Sequence, residues 1–461
     1  MINLQIHNTM GNKKELFIPK DKKNVRIYAC GPTVYNYSHI GNARMAVVCD
    51  LLVRVLKEIF PTVTYVSNIT DIDDKIIDSA IKNKITIKEL TNKFAHIYNQ
   101  DMKALGVNLP DMQPKATDYI DEIINLISKL LKNDYAYFTN KHVLFNIKKY
   151  HNYGKLSGRT QEDQIPGSRV KVQSFKKNPG DFILWKPSTD DQPSWSSPWG
   201  KGRPGWHIEC SAMAEKTLGL PFDIHAGGQD LIFPHHENEI AQTCGAHNFN
   251  NPMDYAKYWF HNGFVTLEDE KMSKSTGNIF LVNDLIKSFP GEVLRLALLS
   301  THYRQPLNWT ESIIAQSKKT LDRYYRYLYE NRDIKINEKN PHINENTVLL
   351  ALSDDLNSSL ALAELSKILD NKEKKPAEVV KSLLLHGGKI LGILQESPSR
   401  WLGYEKNNKN IDISLIENLI QERIKARKNK DFALADSIRL KLNNMGIEIE
   451  DSKSSTTWRK I

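Results

Sequence analysis

Apolar residues in the first part of the chain fall into runs separated by turn-forming segments. A short apolar run at residues 25–30 ends at Gly31-Pro32-Thr33, and a longer one follows at residues 43–52. A short run, a tight turn and a long run predict a strand, a loop and a buried helix. A second strand is expected at residues 62–66. These elements predict an α/β fold built on a parallel sheet.

The pattern changes further along the chain. One helical stretch is expected at residues 120–131, and a region rich in Pro, Gly and Trp follows at residues 186–204. Helical spacing prevails from about residue 310 to 394, and again at residues 415–442. We predict these segments: 1–115 and 205–261 as two halves of one sheet domain, 116–204 as an insertion, 262–309 as a linking segment, 310–406 as a helical domain, and 407–461 as a final module beginning at an Asn/Lys-rich linker.

Composition limits the classes of protein that fit. The 461 residues are too many for one ordinary domain. No apolar run reaches the 18 or so residues of a membrane span, and the N-terminus lacks the layout of a signal peptide. The net charge of +9 is compatible with an RNA partner. Four cysteines without disulfide-scaffold spacing favour a reducing cytoplasm.

Two short polar motifs suit a nucleotide. Residues 39–42, His-Ile-Gly-Asn, are expected at a helix N-terminus above the sheet edge, where phosphate is favoured. Residues 271–275, Lys-Met-Ser-Lys-Ser, place two lysines on one hydroxyl-rich loop. Each ammonium beside a phosphate oxygen contributes about 4 kcal/mol at an effective dielectric near 20. Taken separately, a capped helix and a solvated basic loop explain the two motifs equally well.

Together, and in this order, the two motifs resemble the HIGH and KMSKS signatures of class I aminoacyl-tRNA synthetases. Asn42 departs from the pattern, because the family usually has a second histidine there. The resemblance implies His39, Lys271 and Lys274 as catalytic residues. The implied ATP-binding residues are Pro32, His39, Gly41, Asn42, Gly227, Gly228, Lys271, Met272, Ser273, Lys274 and Ser275.

Two cysteines, a histidine and a glutamate form a candidate metal set. Cys30 ends the first strand, Cys210 lies in a Gly-Trp-His-Ile-Glu-Cys-Ser segment, and His235 and Glu239 are four residues apart on a helix expected to begin at Pro234. Such donors suit zinc, although their spacing is not that of a zinc finger. The residues alone also fit a cysteine-containing core beside a polar helix face. Cys49 and Cys244 are expected to be structural.

Longer segments resemble cysteinyl-tRNA synthetases specifically, at residues 28–35, 205–211, 224–239, 430–436 and 456–459. The resemblance implies one zinc per chain on Cys30, Cys210, His235 and Glu239, and Mg²⁺ accompanying ATP. Zinc takes a thiolate readily and an alcohol poorly, which would select cysteine over serine.

The same resemblance implies further contacts. For the substrate cysteine these are Gly31, Thr33, Thr70, Trp206 and Asp230, for which a core Trp, turn threonines and a capping Asp are the alternatives. For tRNA they are Arg427, Asp436 and Trp458, beside a basic cluster at residues 423–430 that otherwise fits a solvated helix face. Asp71, Asp73 and Asp74 are expected to cap a helix.

The implied protein is a class I enzyme with a Rossmann-type parallel sheet split by a small insertion, followed by a helical bundle and a C-terminal anticodon-binding module. It would be a cytoplasmic monomer, not bound to membranes, that activates L-cysteine with ATP and transfers it to tRNA(Cys). An alternative is a ligase joining the same adenylate to a small amine, as in the mycothiol pathway. A tRNA-binding regulator with a decayed site is a third.

Overall fold

The structure is a computed structural model that describes residues 2–159, 174–267, 270–271, 279–336, 346–404, 413–451 and 456–460. Residues 272–275 of the lysine motif and the expected linker at 407–410 lie outside this part. The strands are β1 (Gln5–Asn8), β2 (Lys13–Leu16), β3 (Asn24–Ala29), β4 (Thr62–Ser67), β5 (Ala136–Thr139), β6 (His142–Phe145), β7 (Phe182–Pro187), β8 (Gly202–Pro204), β9 (Phe222–Gly228), β10 (Ala256–Asn262), β11 (Val265–Leu267), β12 (Glu270–Lys271), β13 (Leu307–Trp309), β14 (Ile447–Asp451) and β15 (Thr456–Lys460).

The helices are α1 (Ile40–Ile59), α2 (Asp74–Asn83), α3 (Ile87–Ala104), α4 (Ile120–Lys132), α5 (Trp206–Leu218), α6 (Glu237–His247), α7 (Val282–Ser288), α8 (Gly291–Leu299), α9 (Glu311–Glu330), α10 (Thr347–Ser353), α11 (Ser358–Asp370), α12 (Ala377–Leu391), α13 (Pro398–Trp401), α14 (Ile413–Lys428) and α15 (Phe432–Asn444). The chain divides into two compact units, one of residues 1–314, 344–366 and 390–393, the other of residues 315–343, 367–389 and 394–461.

A four-stranded parallel sheet with the order β10-β9-β3-β4 forms the centre of the first unit. The predicted strands at residues 25–30 and 62–66 are confirmed as β3 and β4, and the two expected sheet halves contribute two strands each. The strand order reverses between β3 and β9. Ligands of open parallel sheets bind outside the carboxyl ends of the strands at such a point.

Helix α1 covers this sheet and is longer than the predicted segment at residues 43–52. It begins with a capping box, in which His39 Nδ1 accepts a hydrogen bond from the Asn42 backbone N–H and Asn42 Oδ1 accepts one from the His39 N–H. Its apolar face, including Val47, Leu51 and Val55, is buried. Reciprocal capping of this kind fixes where the helix starts, and so fixes His39 at the sheet edge.

The predicted helix at residues 120–131 is confirmed as α4, which packs with α5 and α6 into the same hydrophobic core as β3 and β4. An antiparallel sheet with the order β5-β6-β7-β8 follows it in the chain. A small sheet, β12-β11-β13, lies beyond β10, and within it the backbone of Thr266 pairs with that of Lys271.

The second unit contains helical segments from residue 315 onward and ends in the final module. Helices α14 and α15 pack with the antiparallel pair β14–β15, which we did not predict, around a small core that includes Ile420, Leu442, Ile449 and Trp458. Trp458 is 6% exposed. Its ring packs the core of the module, and its expected contact with tRNA stays a prediction. No helix in the described part of the chain has the length and apolar character to cross a bilayer.

Candidate active site

A cavity of about 460 Å³ opens at the carboxyl ends of β3 and β9. The strand reversal places the loops after both strands around it, and the N-terminus of α1 closes one side. The structure brings ten of the predicted site residues into its lining, namely Cys30, Gly31, Pro32, Thr33, His39, Gly41, Asn42, Trp206, Gly228 and Asp230.

The α1 side of the cavity presents polar groups at a helix N-terminus. Because Nδ1 of His39 accepts the Asn42 N–H, Nε2 carries the hydrogen in the neutral ring and is a donor. The Asn42 carbonyl oxygen is occupied by the His39 N–H, so the amide nitrogen is the donor that this side chain offers. Asn42 thus retains a capping role in place of the usual histidine.

Four buried side chains converge below the cavity. Cys30 Sγ donates to Glu239 Oε1 over 3.4 Å, and His235 Nε2 lies 3.1 Å from the same oxygen. Cys30, Cys210, His235 and Glu239 each place one ligand atom within 4.8 Å of the others. Cys30, His225, His236 and Glu239 form a second, overlapping set that meets the same distance.

Glu239 is held by groups that the sequence did not reveal. Its Oε2 accepts from the Tyr255 hydroxyl at 2.7 Å and lies 2.9 Å from His225 Nε2. All three side chains are buried. These contacts occupy one carboxylate oxygen and direct the other toward Cys30 and His235. His225 lies within β9 and Tyr255 directly precedes β10, and only tertiary packing brings them to Glu239.

The His235 ring is also fixed. Its Nδ1 lies 2.8 Å from His207 Nδ1, and Trp206 stacks on it with ring centroids 4.4 Å apart. Burial and the neighbouring His235 hold the pKa of His207 well below its usual value, so His207 is neutral and can accept. When His235 donates from Nδ1, its Nε2 lone pair faces the cluster.

The two thiols titrate differently. Hydrogen bonding by Cys30 lowers the pKa of Cys210 to about 6, despite burial. Burial raises the pKa of Cys30 well above its usual value. Burial also opposes ionisation of Glu239, but His225 and His235 lower its pKa overall. A buried carboxylate beside two cysteine sulfurs favours binding of a cation at this point.

Neighbouring atoms lie close to three of the predicted glycines. A Cβ on Gly31 would lie 1.6 Å from the backbone oxygen of Asn68, and one on Gly227 would lie 2.7 Å from Cε1 of the buried His236 ring. These two positions leave no room for a side chain, although Gly227 itself is not in the cavity lining. A Cβ on Gly228 would lie 2.5 Å from Asp230 Oδ1, an atom that can move aside.

Asn68, at the end of β4, is a functional candidate that the sequence reading missed. Its Oδ1 accepts from the Gly31 N–H at 2.9 Å and from Cys210 Sγ at 3.7 Å, and its Nδ2 donates to Thr70 Oγ1. Thr70 is 2% exposed and its backbone bridges to that of Thr33. Thr70 supports the cavity wall from behind. The sequence signal that could have identified Asn68 is a polar residue directly after a buried strand, where ligands of parallel sheets bind.

The segment Asn262 to Val265 was also missed. It joins the end of β10 to the start of β11 and lines the same cavity as Gly41 and Asn42. The segment carries no recognisable motif. Only folding of the chain brings this segment into the cavity lining.

Other expectations have definite outcomes. The predicted helix start at Pro234 is wrong, because α6 begins at Glu237 and Pro234 lies in the preceding π-helical turn. His235 and Glu239 nevertheless contact each other as expected. Asp73 caps α2 as predicted. Cys49 and Cys244 are buried, the latter inside α6.

In the final module, Arg427 and Asp436 are exposed, on α14 and α15 respectively. Exposure is compatible with the predicted contacts to tRNA.

Two family models match separate parts of the chain. Residues 16–319 match the family model of the class I (C) tRNA synthetase catalytic domain, and residues 415–459 match that of the cysteinyl-tRNA ligase anticodon-binding domain. The chain is 49% identical to the cysteine–tRNA ligase of Parvibaculum lavamentivorans, over 99% of this chain and 98% of that protein. It is 48% identical to the cysteine–tRNA ligase of Maricaulis maris over the full length of both.

Solved structures with the same fold are more distant in sequence. Mycobacterium tuberculosis methionyl-tRNA synthetase bound to methionyl-adenylate has a TM-score of 0.56 at 14% identity, covering 84% of this chain and 95% of that one. A leucyl-tRNA synthetase ternary complex from Agrobacterium radiobacter has a TM-score of 0.60 at 11% identity, covering 85% and 86%. At this identity they confirm the predicted fold class alone. Full-length identity and both family models together show that the chain belongs to the cysteine–tRNA ligases, the class I aminoacyl-tRNA synthetases that activate cysteine with ATP and attach it to tRNA.

Proposed function

We propose that Cys30, Cys210, His235 and Glu239 bind one zinc ion, and that this ion selects cysteine as the substrate. The convergence of these four buried donors carries the proposal. Tetrahedral zinc with bonds of about 2.0–2.3 Å spaces its ligand atoms roughly 3.3–3.8 Å apart. The separations of 3.4 Å and 3.1 Å from Glu239 Oε1 to Cys30 and His235 are near that range.

The orientation of Glu239 favours this set over the overlapping one. His225 engages Oε2, which is already the acceptor of Tyr255. His236 pairs through Nδ1 with His261, and its Nε2 is 4.0 Å from Oε1. His225 and His236 therefore support the site from behind, whereas two thiol sulfurs and His235 surround Oε1. Two sulfur ligands also suit zinc better than one.

The bound ion would supply a coordination position for the thiolate of the substrate. A serine hydroxyl differs from that thiol by one atom, and a pocket without such a ligand would separate the two only weakly. Trp206, stacked on His235, borders the position of the substrate side chain. Asp230, in the same lining, offers a carboxylate to the substrate ammonium group. Gly31 and Thr33 complete the lining of this pocket, and Thr70 supports Thr33 from behind.

Activation of cysteine needs no protein nucleophile, because the substrate carboxylate attacks the α-phosphate of ATP. The enzyme positions both substrates and stabilises charge on the phosphates. We assign His39, Asn42 and the N-terminus of α1 to the nucleotide, with Pro32, Gly41, Gly227 and Gly228 allowing its close approach. Lys271 and Lys274 would meet the phosphates, together with Mg²⁺.

The direct test is ATP–pyrophosphate exchange with cysteine and with serine as alternative substrates, combined with zinc analysis of the same protein. We expect cysteine-dependent exchange, about one zinc per chain and little exchange with serine. Active protein without zinc, or comparable rates with the two amino acids, would overturn the proposal.

Replacing Tyr255 with phenylalanine is expected to weaken zinc binding by about 10- to 100-fold, as loss of a group that orients a metal ligand commonly does. Tyr255 is fully buried, and its only change would be loss of the hydroxyl that donates to Glu239 Oε2. Zinc affinity is to be measured by competition with a chelator.

Tyr303→Phe is the matched control, because the buried Tyr303 hydroxyl donates to Asp355 Oδ1, also over 2.7 Å. Both variants are expected to lose about 1–3 kcal/mol of stability. Only Tyr255→Phe should lose zinc affinity. Equal zinc affinity in the two variants would contradict the role given to Tyr255.

We propose further that residues 407–461 read a distant feature of the tRNA, the anticodon. Protein truncated at Asn407 is expected to retain pyrophosphate exchange but to charge tRNA at least about tenfold less efficiently, since each lost phosphate contact weakens binding and lowers the salt slope by about one unit. In the full-length chain, Arg427→Gln removes one exposed positive charge from this module. Lys57→Gln removes one exposed positive charge from α1 and is the control. Undiminished charging by active truncated protein would rule out this role.

The tRNA-charging assay also decides whether tRNA or a small amine accepts the cysteinyl group from the adenylate. The match of residues 415–459 to an anticodon-binding model favours tRNA. The four cysteines are free and buried. We therefore propose that the protein acts in the reducing cytoplasm, and we keep the expectation that it is a monomer.

A further inference from the structure

Arg44 is a buried arginine on α1, two residues beyond Asn42. It is 0% exposed, and its guanidinium donates to four backbone carbonyl oxygens. Nη1 reaches Gly263 O at 3.1 Å and Phe264 O at 2.6 Å. Nη2 reaches His302 O at 3.3 Å and Gln305 O at 2.7 Å. One side chain thus joins α1 to two segments more than 200 residues away in sequence.

Backbone dipoles, rather than a carboxylate, surround this charge. Burial lowers the pKa of Arg44 to about 10, so the group stays protonated at neutral pH. Among the described residues, no carboxylate makes an ion pair with it. A buried charge is costly unless it is hydrogen-bonded, and in the described part of the chain the Arg44 Nε has no hydrogen-bond partner, so the four carbonyls supply all of these bonds. The carbonyls must therefore keep their positions around the guanidinium, which makes the contact geometrically demanding.

The first of the two segments is a wall of the cavity. Gly263, Phe264 and Val265 line it, as do Gly41 and Asn42 of α1. Val265 also begins β11, and the next residue, Thr266, pairs with Lys271. The carbonyls that Arg44 holds therefore lie where the wall turns into this small sheet.

The second segment backs the first. The Gly263 N–H donates to Tyr303 O at 2.8 Å, and the Leu307 N–H donates to Phe264 O at 2.9 Å. A Cβ on Gly263 would lie 2.7 Å from the carbonyl oxygens of both Arg304 and Gln305. The two backbones are packed as closely as a glycine allows. Arg44 closes this arrangement from the α1 side.

We propose that Arg44 is a positioning residue, which sets the distance between the α1 wall and the Gly263–Val265 wall and thereby determines affinity for the nucleotide. The inference rests on the proposed placement of ATP at the α1 wall, and it adds the Gly263–Val265 wall to that site. Cysteine, in contrast, is assigned to the Cys30, Trp206 and Asp230 side of the cavity. Loss of the guanidinium should therefore raise the KM for ATP more than the KM for cysteine.

The test is pyrophosphate exchange by full-length Arg44→Lys and Arg44→Met, with ATP and cysteine varied separately. We expect the KM for ATP to rise by about tenfold or more in Arg44→Met, because displacement of a binding wall by about 1 Å has effects of this size. Arg44→Lys keeps the charge and some of the bonds, so its rise should be smaller. The KM for cysteine should stay within about twofold.

KM does not depend on the fraction of protein that is folded, so a merely structural role would lower kcat and leave both KM values unchanged. Arg26→Met is the matched control. Arg26 also donates to two backbone carbonyls, those of Leu218 and Pro221, but it is not in the cavity lining. Unchanged KM values for ATP in both Arg44 variants, or an equal rise for cysteine, would overturn the proposal. Absence of exchange in the wild type would instead overturn the proposed function.

Discussion

Cys30→Ser is expected to lose zinc and to lower cysteine activation by at least about 100-fold. A serine hydroxyl does not ionise at neutral pH and is a poor zinc ligand. Three donors would remain, and the Glu239 oxygen that now accepts from Cys30 would lose its sulfur neighbour. Since loss of a supporting residue alone costs about 10- to 100-fold in metal affinity, loss of a direct ligand should cost more. Metal content and pyrophosphate exchange are to be measured on the same preparation.

Cys244→Ser is the control for that result. Cys244 is equally buried, inside α6, but its Sγ contacts the Asn251 backbone oxygen and lies outside both candidate ligand sets. Its substitution should leave zinc content near one per chain. Full zinc and normal activity in Cys30→Ser would contradict the assignment of Cys30 as a ligand.

Lys274→Ala is expected to lower the rate of adenylate formation by about 100-fold, which corresponds to roughly 3 kcal/mol for one preorganised charge contact in the transition state. Lys274 lies outside the described residues, so this expectation rests on the KMSKS resemblance. The affinity for cysteine should hardly change, because the lysine is expected to meet phosphate. Rapid-quench measurement of adenylate formation gives the rate directly.

Lys287→Ala controls for loss of a positive charge, since Lys287 is exposed and paired with Asp284 at 2.8 Å on α7. Its rate of adenylate formation should match the wild type. A Lys274→Ala enzyme with a normal rate of adenylate formation and weak cysteine binding would contradict the assignment of Lys274 to the phosphates.

The sequence predicted the parallel sheet because its strands and helices have distinct apolar patterns. Residues 25–30 and 62–66 became neighbouring strands, and the long run at 43–52 became the centre of α1. Helix ends were less predictable, since they depend on specific caps. The His39–Asn42 capping box extended α1 by several residues, and a π-helical turn displaced the start of α6 from Pro234.

The four proposed zinc ligands were identified from motifs, but the groups that orient them were not. Tyr255, His225 and His207 reach Glu239 and His235 through tertiary packing, for which a single sequence holds no signal. The sequence does not single out Arg44, because its carbonyl partners are brought to it only in the folded chain.

The final module contains a predicted tRNA contact whose side chain is buried and a strand that was not predicted. Trp458 was predicted from a motif as a tRNA contact, yet its ring is buried in the core. The β14 strand was missed although Ile447 and Ile449 alternate with charged residues, which is the pattern of a half-buried strand.

Diffraction from crystals of active enzyme, recorded on both sides of the zinc absorption edge, tests the central claim most directly. The account predicts one anomalous peak per chain, about 2.3 Å from the sulfurs of Cys30 and Cys210 and about 2.0–2.2 Å from His235 Nε2 and a Glu239 oxygen. Crystals soaked with cysteine should show its sulfur as a further neighbour of the peak. A peak held by His225 and His236 instead, or no peak in crystals of active enzyme, would contradict the account.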